Sequence, residues 1–344
     1  MKVVKTVQEV ADFKVSPERK LFSATHEEVA AGLTTDIYFV KTREILEKMG
    51  LADSLVSAEI FPRSSGVMAG VEEVKRLLAD AGVEVWSLPE GEEFSPKEVV
   101  MQIRGPYGRF GVYETAVLGI LASSCAWAAR AREAKRAAGD KPAICFGARH
   151  VHPAVAPVME RAAIIGGADG ASCILGAKLA GIEPVGTVPH ALFLIVGDTL
   201  VAAEGYDKYM PPSSARSMLV DTFKDEVEES LRLAEAMGTR LESVRLDTPG
   251  ERGGVTPGLV AELRAKLNLA GYNHVRIFVS GGLDPERIRI LSEAGADAFG
   301  VGSYISGAPP IDMTMDIKEV NGKPTAKRGR IPGLAPTDRL VKIL

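Results

Sequence analysis

The feature that most narrows how this chain can fold is a unit that recurs from Pro142 onward, an apolar run, a tight turn, then an amphipathic stretch. The apolar runs close at AICFGAR, GGADG, EPVGT, MLVDT, ESVRLDT, RIFVSGG and DAFGVGS. Most lead into helix-periodic segments such as FKDEVEESLRLAEAMG, PGLVAELRAKLNLAG and DPERIRILSEAGA. In the last of these, Asp284 can cap the helix N-terminus and Pro285 fits its first position. Alternating strands and helices imply a parallel sheet. About seven units in series predict an α/β barrel rather than an open doubly wound sheet.

Residues 20–115 have another texture. Strand-like runs (LVSAEIF, VEVWSL, VVMQIRG) surround one helix, VEEVKRLLADAG, with turn signals at PEGEEFSP and RGPYG. A helix follows from near Phe110 to Ala138, apolar almost all round in its first half, as expected of a buried connector. The predicted divisions are an N-terminal α/β domain over 1–115, a helical connection over 116–141, a barrel over 142–310 and a tail over 311–344. The tail is polar and rich in Gly and Pro, and is expected to pack over the barrel or fray.

Composition limits the partners. Lys plus Arg (41) nearly balances Asp plus Glu (45), so the net charge of −4 gives no electrostatic footprint for nucleic acid or an anionic membrane. Cys125, Cys145 and Cys173 sit in apolar surroundings without a CxxC pair, which reads as buried reduced thiols. His150 and His152 alone do not make a ligand set, so no zinc is expected. The start, MKVVKTVQEVADF, has no apolar core run, and PHALFLIVGD is far shorter than a bilayer span. A cytoplasmic protein acting on small molecules is the expectation.

In a parallel barrel the chemistry gathers at the carboxyl ends of strands. Those ends carry Arg149, Asp169, Thr187 with His190, Asp221 with Thr222, and Asp247 with Thr248. The last two ends are glycine turns, SGGL with Ser280, Gly281 and Gly282, then FGVGS with Gly300, Gly302 and Ser303. Glycine lets backbone N–H groups approach an anion closely, so the tandem predicts a phosphate grip. Asp169 reads as a turn-stabilising carboxylate.

The strings TTDIYF, GARHVHP, GGADGAS, GTVPHAL, LVDTF, VRLDTP, FVSGGL and FGVGS, in this order over about residues 20–310, resemble nicotinate phosphoribosyltransferases, most closely their shorter bacterial and archaeal branch. The resemblance implies an N-terminal α/β sandwich and an incomplete barrel of the type II phosphoribosyltransferase fold. It implies a reaction in which nicotinate and phosphoribosyl pyrophosphate give nicotinate mononucleotide and pyrophosphate, coupled in many members to ATP, with Mg²⁺ at the leaving group. By this resemblance His190 matches the histidine phosphorylated by ATP. Asp247 falls at the ribose or Mg²⁺, Arg149 at a phosphate or the nicotinate carboxylate, and Tyr38 on the pyridine ring. Tyr38 reaches a neighbouring subunit's site in the family, which implies a homodimer or larger homo-oligomer with shared active sites. This chain has His150 where many relatives carry a second arginine.

The residue types suit that chemistry. A pyridine nitrogen has no proton to lose, so no general base is needed, and catalysis rests on positioning and on stabilising the departing pyrophosphate. Arg149, Asp221 and Asp247 are suited to those tasks, and Arg216, in PPSSARS, is a second candidate for an anion. Arg63 could face the site. Imidazole is a competent nucleophile near neutral pH, which favours His190. Plain alternatives stand beside these: His190 and Tyr38 as core residues, Asp247 as a helix cap, Asp221 as a core orienter and Arg216 as a solvated loop residue. Quinolinate phosphoribosyltransferase shares the fold, but it must hold two substrate carboxylates and has no use for a phosphorylatable histidine. A non-catalytic phosphate-binding barrel is the remaining alternative.

Overall fold

The computed structural model describes residues 2–344. The chain divides into two compact units, one made of the residues up to Ala128 with Pro309–Leu344, the other of Ala129–Ala308.

The first unit is built on an antiparallel sheet. Leu55–Pro62 pairs on one side with Met101–Pro106, which in turn pairs with Glu84–Ser87. On its other side Leu55–Pro62 pairs with Met313–Val320. Val341–Lys342 adds to the edge at Glu84–Ser87. The segment after Ile311 is thus a structural member of this sheet, which corrects the expectation of a tail over the barrel. The sequence misled because the run after Val320 is polar and rich in Gly and Pro, and the charges within Met313–Val320 read as solvent-facing. Asp316 and Lys318 are in fact buried, Asp316 pairing with Lys327 at 2.6 Å and Arg330 at 2.7 Å. The helix Val71–Leu78 belongs to the same unit and buries Val71, Val74 and Leu78 at helical spacing. Gly70 enters that helix at φ +88°, and a Cβ there would meet Ile120 Cγ2 at 2.9 Å, so glycine is required by both conformation and space.

The connector is the helix Glu114–Ala138, preceded by short turns from Tyr107. Tyr107–Ala138 is long and apolar enough to cross a membrane, yet Val117, Leu121, Cys125, Ala128, Ala131 and Ala134 are buried, as in a core helix.

The second unit holds six parallel strands in the spatial order Gly170–Ala171, Ala143–Cys145, Ala298–Val301, Arg276–Ser280, Ser243–Leu246, Ser217–Leu219. The two ends of this row do not pair, so the barrel is incomplete, as expected. The count is six rather than seven because EPVGT forms no ladder. Val185 N–H makes a single bond to the Ala171 carbonyl at 2.9 Å, and Pro184 has no N–H to extend it.

Register sorts the residues of each strand onto two faces. Ala143, Cys145, Met218, Val244, Leu246, Ile277, Val279, Phe299 and Val301 fill one face and are almost wholly buried. The other face carries Ile144, Ser217, Leu219, Ser243, Arg245, Phe278, Ser280 and Gly300, aligned by the pairs Leu219↔Arg245, Arg245↔Phe278 and Ser280↔Gly300. The polar residues therefore line one concave side, and the strand ends deliver Phe146, Asp221, Asp247 and the glycine turns to its rim.

Candidate active site

A cleft at the carboxyl end of the parallel sheet is lined by Phe146, Arg149, His150, Arg245, Asp247 and the two glycine turns. Its centre is Arg245, which the sequence reading passed over. Nε–H donates to Ser280 Oγ at 2.8 Å, Nη1–H to Thr187 Oγ1 at 2.7 Å, and Nη2–H reaches Asp247 Oδ2 at 3.4 Å. The Ser280 hydroxyl donates in turn to Asp247 Oδ1 at 2.7 Å. The guanidinium carbon lies 5.2 Å from the Phe146 ring centroid and 5.9 Å from that of Phe278, and the two rings meet edge to face. Burial lowers the Arg245 pKa from its ordinary value. Asp247 and Asp221 oppose that shift, and the neighbouring charge of Arg149 adds to it.

Arg149 stands on the short turn Ala148–His150 and is exposed, with no ion-pair partner among the described residues, so its charge is free for an anionic ligand. The glycine turns divide their labour. Gly281 and Gly282 adopt φ +96° and +61°, and a Cβ on Gly281 would sit 3.3 Å from Asp247 Oδ1. The backbone N–H groups of Gly281, Gly282, Gly302 and Ser303 have no acceptor among the described residues. Two sequence expectations change here. Ser280 is in the strand, 3% exposed, and its hydroxyl is taken up by Arg245 and Asp247 rather than free for phosphate. Gly300 is also inside a strand. A Cβ there would strike the Phe146 ring at 2.6 Å, so its task is to make room for that aromatic face. The helix Pro285–Glu293 does not present its start to an anion either, because Asp284 already caps it, accepting from Arg287 N–H at 2.8 Å.

His190 begins the helix His190–Val196 and places Nε2 3.1 Å from Asp221 Oδ2. The imidazole is partly exposed while the Asp221 side chain is 1% exposed. Burial raises the Asp221 pKa, His190 pulls it back, and Asp247 raises it further, so the two carboxylates sense one another. Asp221 Oδ1 and Thr222 Oγ1 are buried without a partner.

Arg216 does not belong to the site. Its guanidinium is 7% exposed and is consumed by Asp207 Oδ1 at 3.1 Å, the Pro211 carbonyl at 2.7 Å, the Pro212 carbonyl at 3.2 Å and the Ser214 carbonyl. It clamps its own loop and has no donor left for substrate. Thr187 is present but acts through Arg245. Asp169 is structural, as read, accepting from Ala143 N–H at 2.8 Å and pairing with Lys135 at 3.0 Å. Tyr38 and Arg63 lie in the first unit. Tyr38 is on the helix Ile37–Lys48 and is 56% exposed, and Arg63 is exposed and pairs with Asp312 at 3.0 Å.

Comparison with known proteins defines the class. Residues 36–125 match the N-terminal domain, and residues 127–316 the C-terminal domain, of quinolinate phosphoribosyl transferase. The chain belongs to this family. It is 31% identical over 314 residues to a nicotinate phosphoribosyltransferase of Mycobacterium tuberculosis, an alignment covering 85% of this chain and 66% of that protein. The chain therefore spans about two thirds of that relative's length. A solved nicotinate-nucleotide pyrophosphorylase from Pyrococcus furiosus is 46% identical with a TM-score of 0.87, covering 92% of this chain and 82% of that one. A human nicotinic acid phosphoribosyltransferase shares the fold with a TM-score of 0.70 at 19% identity, covering 88% of this chain and 77% of that one.

Proposed function

We propose that this protein transfers the phosphoribosyl group of phosphoribosyl pyrophosphate to nicotinate, forming nicotinate mononucleotide and pyrophosphate. The observation that carries this reading is Arg245, held against Phe146 and Phe278 and fixed at its edge by Thr187, Ser280 and Asp247. A planar cation beside an aromatic face suits a flat heterocycle bearing one carboxylate. Quinolinate carries two carboxylates, whereas the guanidinium groups lining the cleft are Arg149 and Arg245 and no lysine joins them.

In this reading the four free N–H groups of Gly281, Gly282, Gly302 and Ser303 take the 5′-phosphate, and Arg149 draws charge off the departing pyrophosphate. The pyridine nitrogen attacks the ribose carbon as the bond to pyrophosphate breaks, with no proton to remove. Asp247 faces the cleft and holds the ribose hydroxyls. No group of three or more His, Cys, Asp or Glu side chains is placed to hold a metal ion among the described residues. Asp247 alone suits an Mg²⁺ that comes with pyrophosphate and keeps its waters. Such an ion would neutralise charge on the leaving group.

Coupling to ATP belongs to the same proposal. Asp221 accepts from Nε2–H of His190, which leaves the Nδ1 lone pair as the nucleophile toward a phosphoryl group. Completion of the site by Tyr38 of a neighbouring copy, in a dimer or larger assembly, is proposed as well. Product formation from nicotinate and phosphoribosyl pyrophosphate, with and without ATP, tests these points. Wild type is expected to form mononucleotide faster with ATP, and His190→Ala to form it without an ATP response. An unchanged ATP response in His190→Ala removes the phosphohistidine, and absence of product from wild type removes the whole reading.

A further inference from the structure

Glu226 is a buried carboxylate that the proposed chemistry does not use. It opens the helix Glu226–Met237, is 2% exposed, and accepts from Thr248 Oγ1 at 2.9 Å. Its other oxygen faces Arg252 Nη2 at 3.5 Å. Thr248, itself 7% exposed, follows Asp247 directly. The helix that Glu226 opens follows the strand end bearing Asp221, and the strands Ser217–Leu219 and Ser243–Leu246 are neighbours in the sheet. The Glu226–Thr248 bond therefore joins the two adjacent loops that carry the site's two carboxylates.

Asp221 and Asp247 place two carboxyl groups on these adjacent loops, each beside a cationic or imidazole partner, His190 and Arg245. The segment after Asp247 turns sharply, with Gly253 and Gly254 both at left-handed φ, +93° and +68°, so the direction of the chain beyond Thr248 is set within a few residues. Glu226 has its own N-terminal anchor, since Asp225 caps the helix by accepting from Val227 N–H at 2.9 Å. The Glu226 carboxylate thus ties the start of one loop's helix to the residue next to Asp247 on the other.

We infer that Glu226 and Thr248 are positioning residues that hold Asp247 in register with Arg245 and with the His190–Asp221 pair. The inference rests on the phosphoribosyl-transfer reading of this cleft. Misplacement of a reacting group by about 1 Å can lower a rate about a hundredfold, so loss of the tie should act on turnover. Ground-state binding of the pyridine depends on Phe146 and on Arg245, which Thr187 and Ser280 hold more closely than Asp247 does.

The test compares wild type, Thr248→Val, Thr248→Ser and Glu226→Gln on whichever pyridine wild type consumes. Hydrogen exchange of residues 247–255 and thermal unfolding are followed alongside. Thr248→Val keeps the shape and loses the hydroxyl. It is expected to lower kcat by about tenfold to a hundredfold, with KM for the pyridine within about twofold, and to speed exchange in 247–255. Thr248→Ser is expected to restore both. A purely structural residue would lower the melting temperature and leave kcat per folded enzyme unchanged. Wild-type kcat in Thr248→Val therefore overturns the inference, whatever the loop's exchange does. If Thr248→Val does not fold, Glu226→Gln carries the test, because it replaces the charged acceptor of Thr248 by a neutral amide and so weakens the tie. A kcat loss of about threefold or more supports the tie there, and none overturns it. If wild type consumes neither nicotinate nor quinolinate, the functional reading falls and calorimetry with phosphoribosyl pyrophosphate decides the tie. About tenfold weaker binding in Thr248→Val, restored in Thr248→Ser, supports it, and equal binding overturns it.

Discussion

An arginine flanked by Val244 and Leu246 reads, in sequence, as one polar position in an apolar run. The parallel register turns it into the centre of the site. Its neighbours at 244 and 246 face the helices, so the side chain of Arg245 must face the cleft. The signal was available in the alternation of ESVRLDT, since Asp247, two residues on, shares that face. Arg216 shows the opposite error, because residue type alone cannot reveal that a guanidinium is consumed by the carbonyls of its own loop. Arg149, Asp221, Asp247 and the two glycine turns stood out because each closes an apolar run, whereas the pairing of His190 with Asp221 emerges only from the fold. Arg245→Ala is expected to raise KM for nicotinate by about tenfold to a hundredfold, the range for losing a hydrogen-bonded charge partner, and initial-rate kinetics check it. Arg245→Lys should recover only part of that loss, since an ammonium lacks the planar fork that Thr187, Ser280 and Asp247 engage. A KM equal to wild type in Arg245→Ala would remove the guanidinium from substrate binding.

Whole elements were read with uneven success for a physical reason. Runs backed by an amphipathic helix, such as RIFVSGG before Asp284, appear as strands because local signal and burial agree. EPVGT fails because a proline removes a ladder donor. Met313–Val320 escaped because its charged residues are neutralised by partners distant in sequence, as Lys318 is by Glu59 at 3.8 Å. The first helical turn of the connector has its own consequence. Burial, then repulsion from Asp316, push the Glu114 carboxyl up to about 7, against the pull of Lys327. A carboxyl with a raised folded pKa holds its proton more tightly when folded, so its contribution to stability is fullest at low pH. That contribution is lost as pH rises from about 4.5 through about 7. Thermal melts of Glu114→Gln should show a gain over wild type at pH 8 and little difference near pH 4. Equal melting temperatures at pH 8 would contradict the raised value.

At the scale of the whole molecule, the alternation of strands and helices announced the α/β class and a barrel, and the family resemblance implied that the barrel is incomplete. What the sequence did not announce is that residues 309–344 return to the first unit. Long-range pairing leaves little local trace, because its stabilisation depends on partners more than two hundred residues away, as in Val56↔Val320. The proposed function commits to nicotinate over quinolinate, the pyridine with one carboxylate over that with two. The most direct measurement offers wild type equal concentrations of nicotinate and quinolinate with phosphoribosyl pyrophosphate, and follows mononucleotide and CO₂ together. Mononucleotide drawn from nicotinate, without CO₂, is the expected result. CO₂ released in step with the product would contradict it and make quinolinate the substrate.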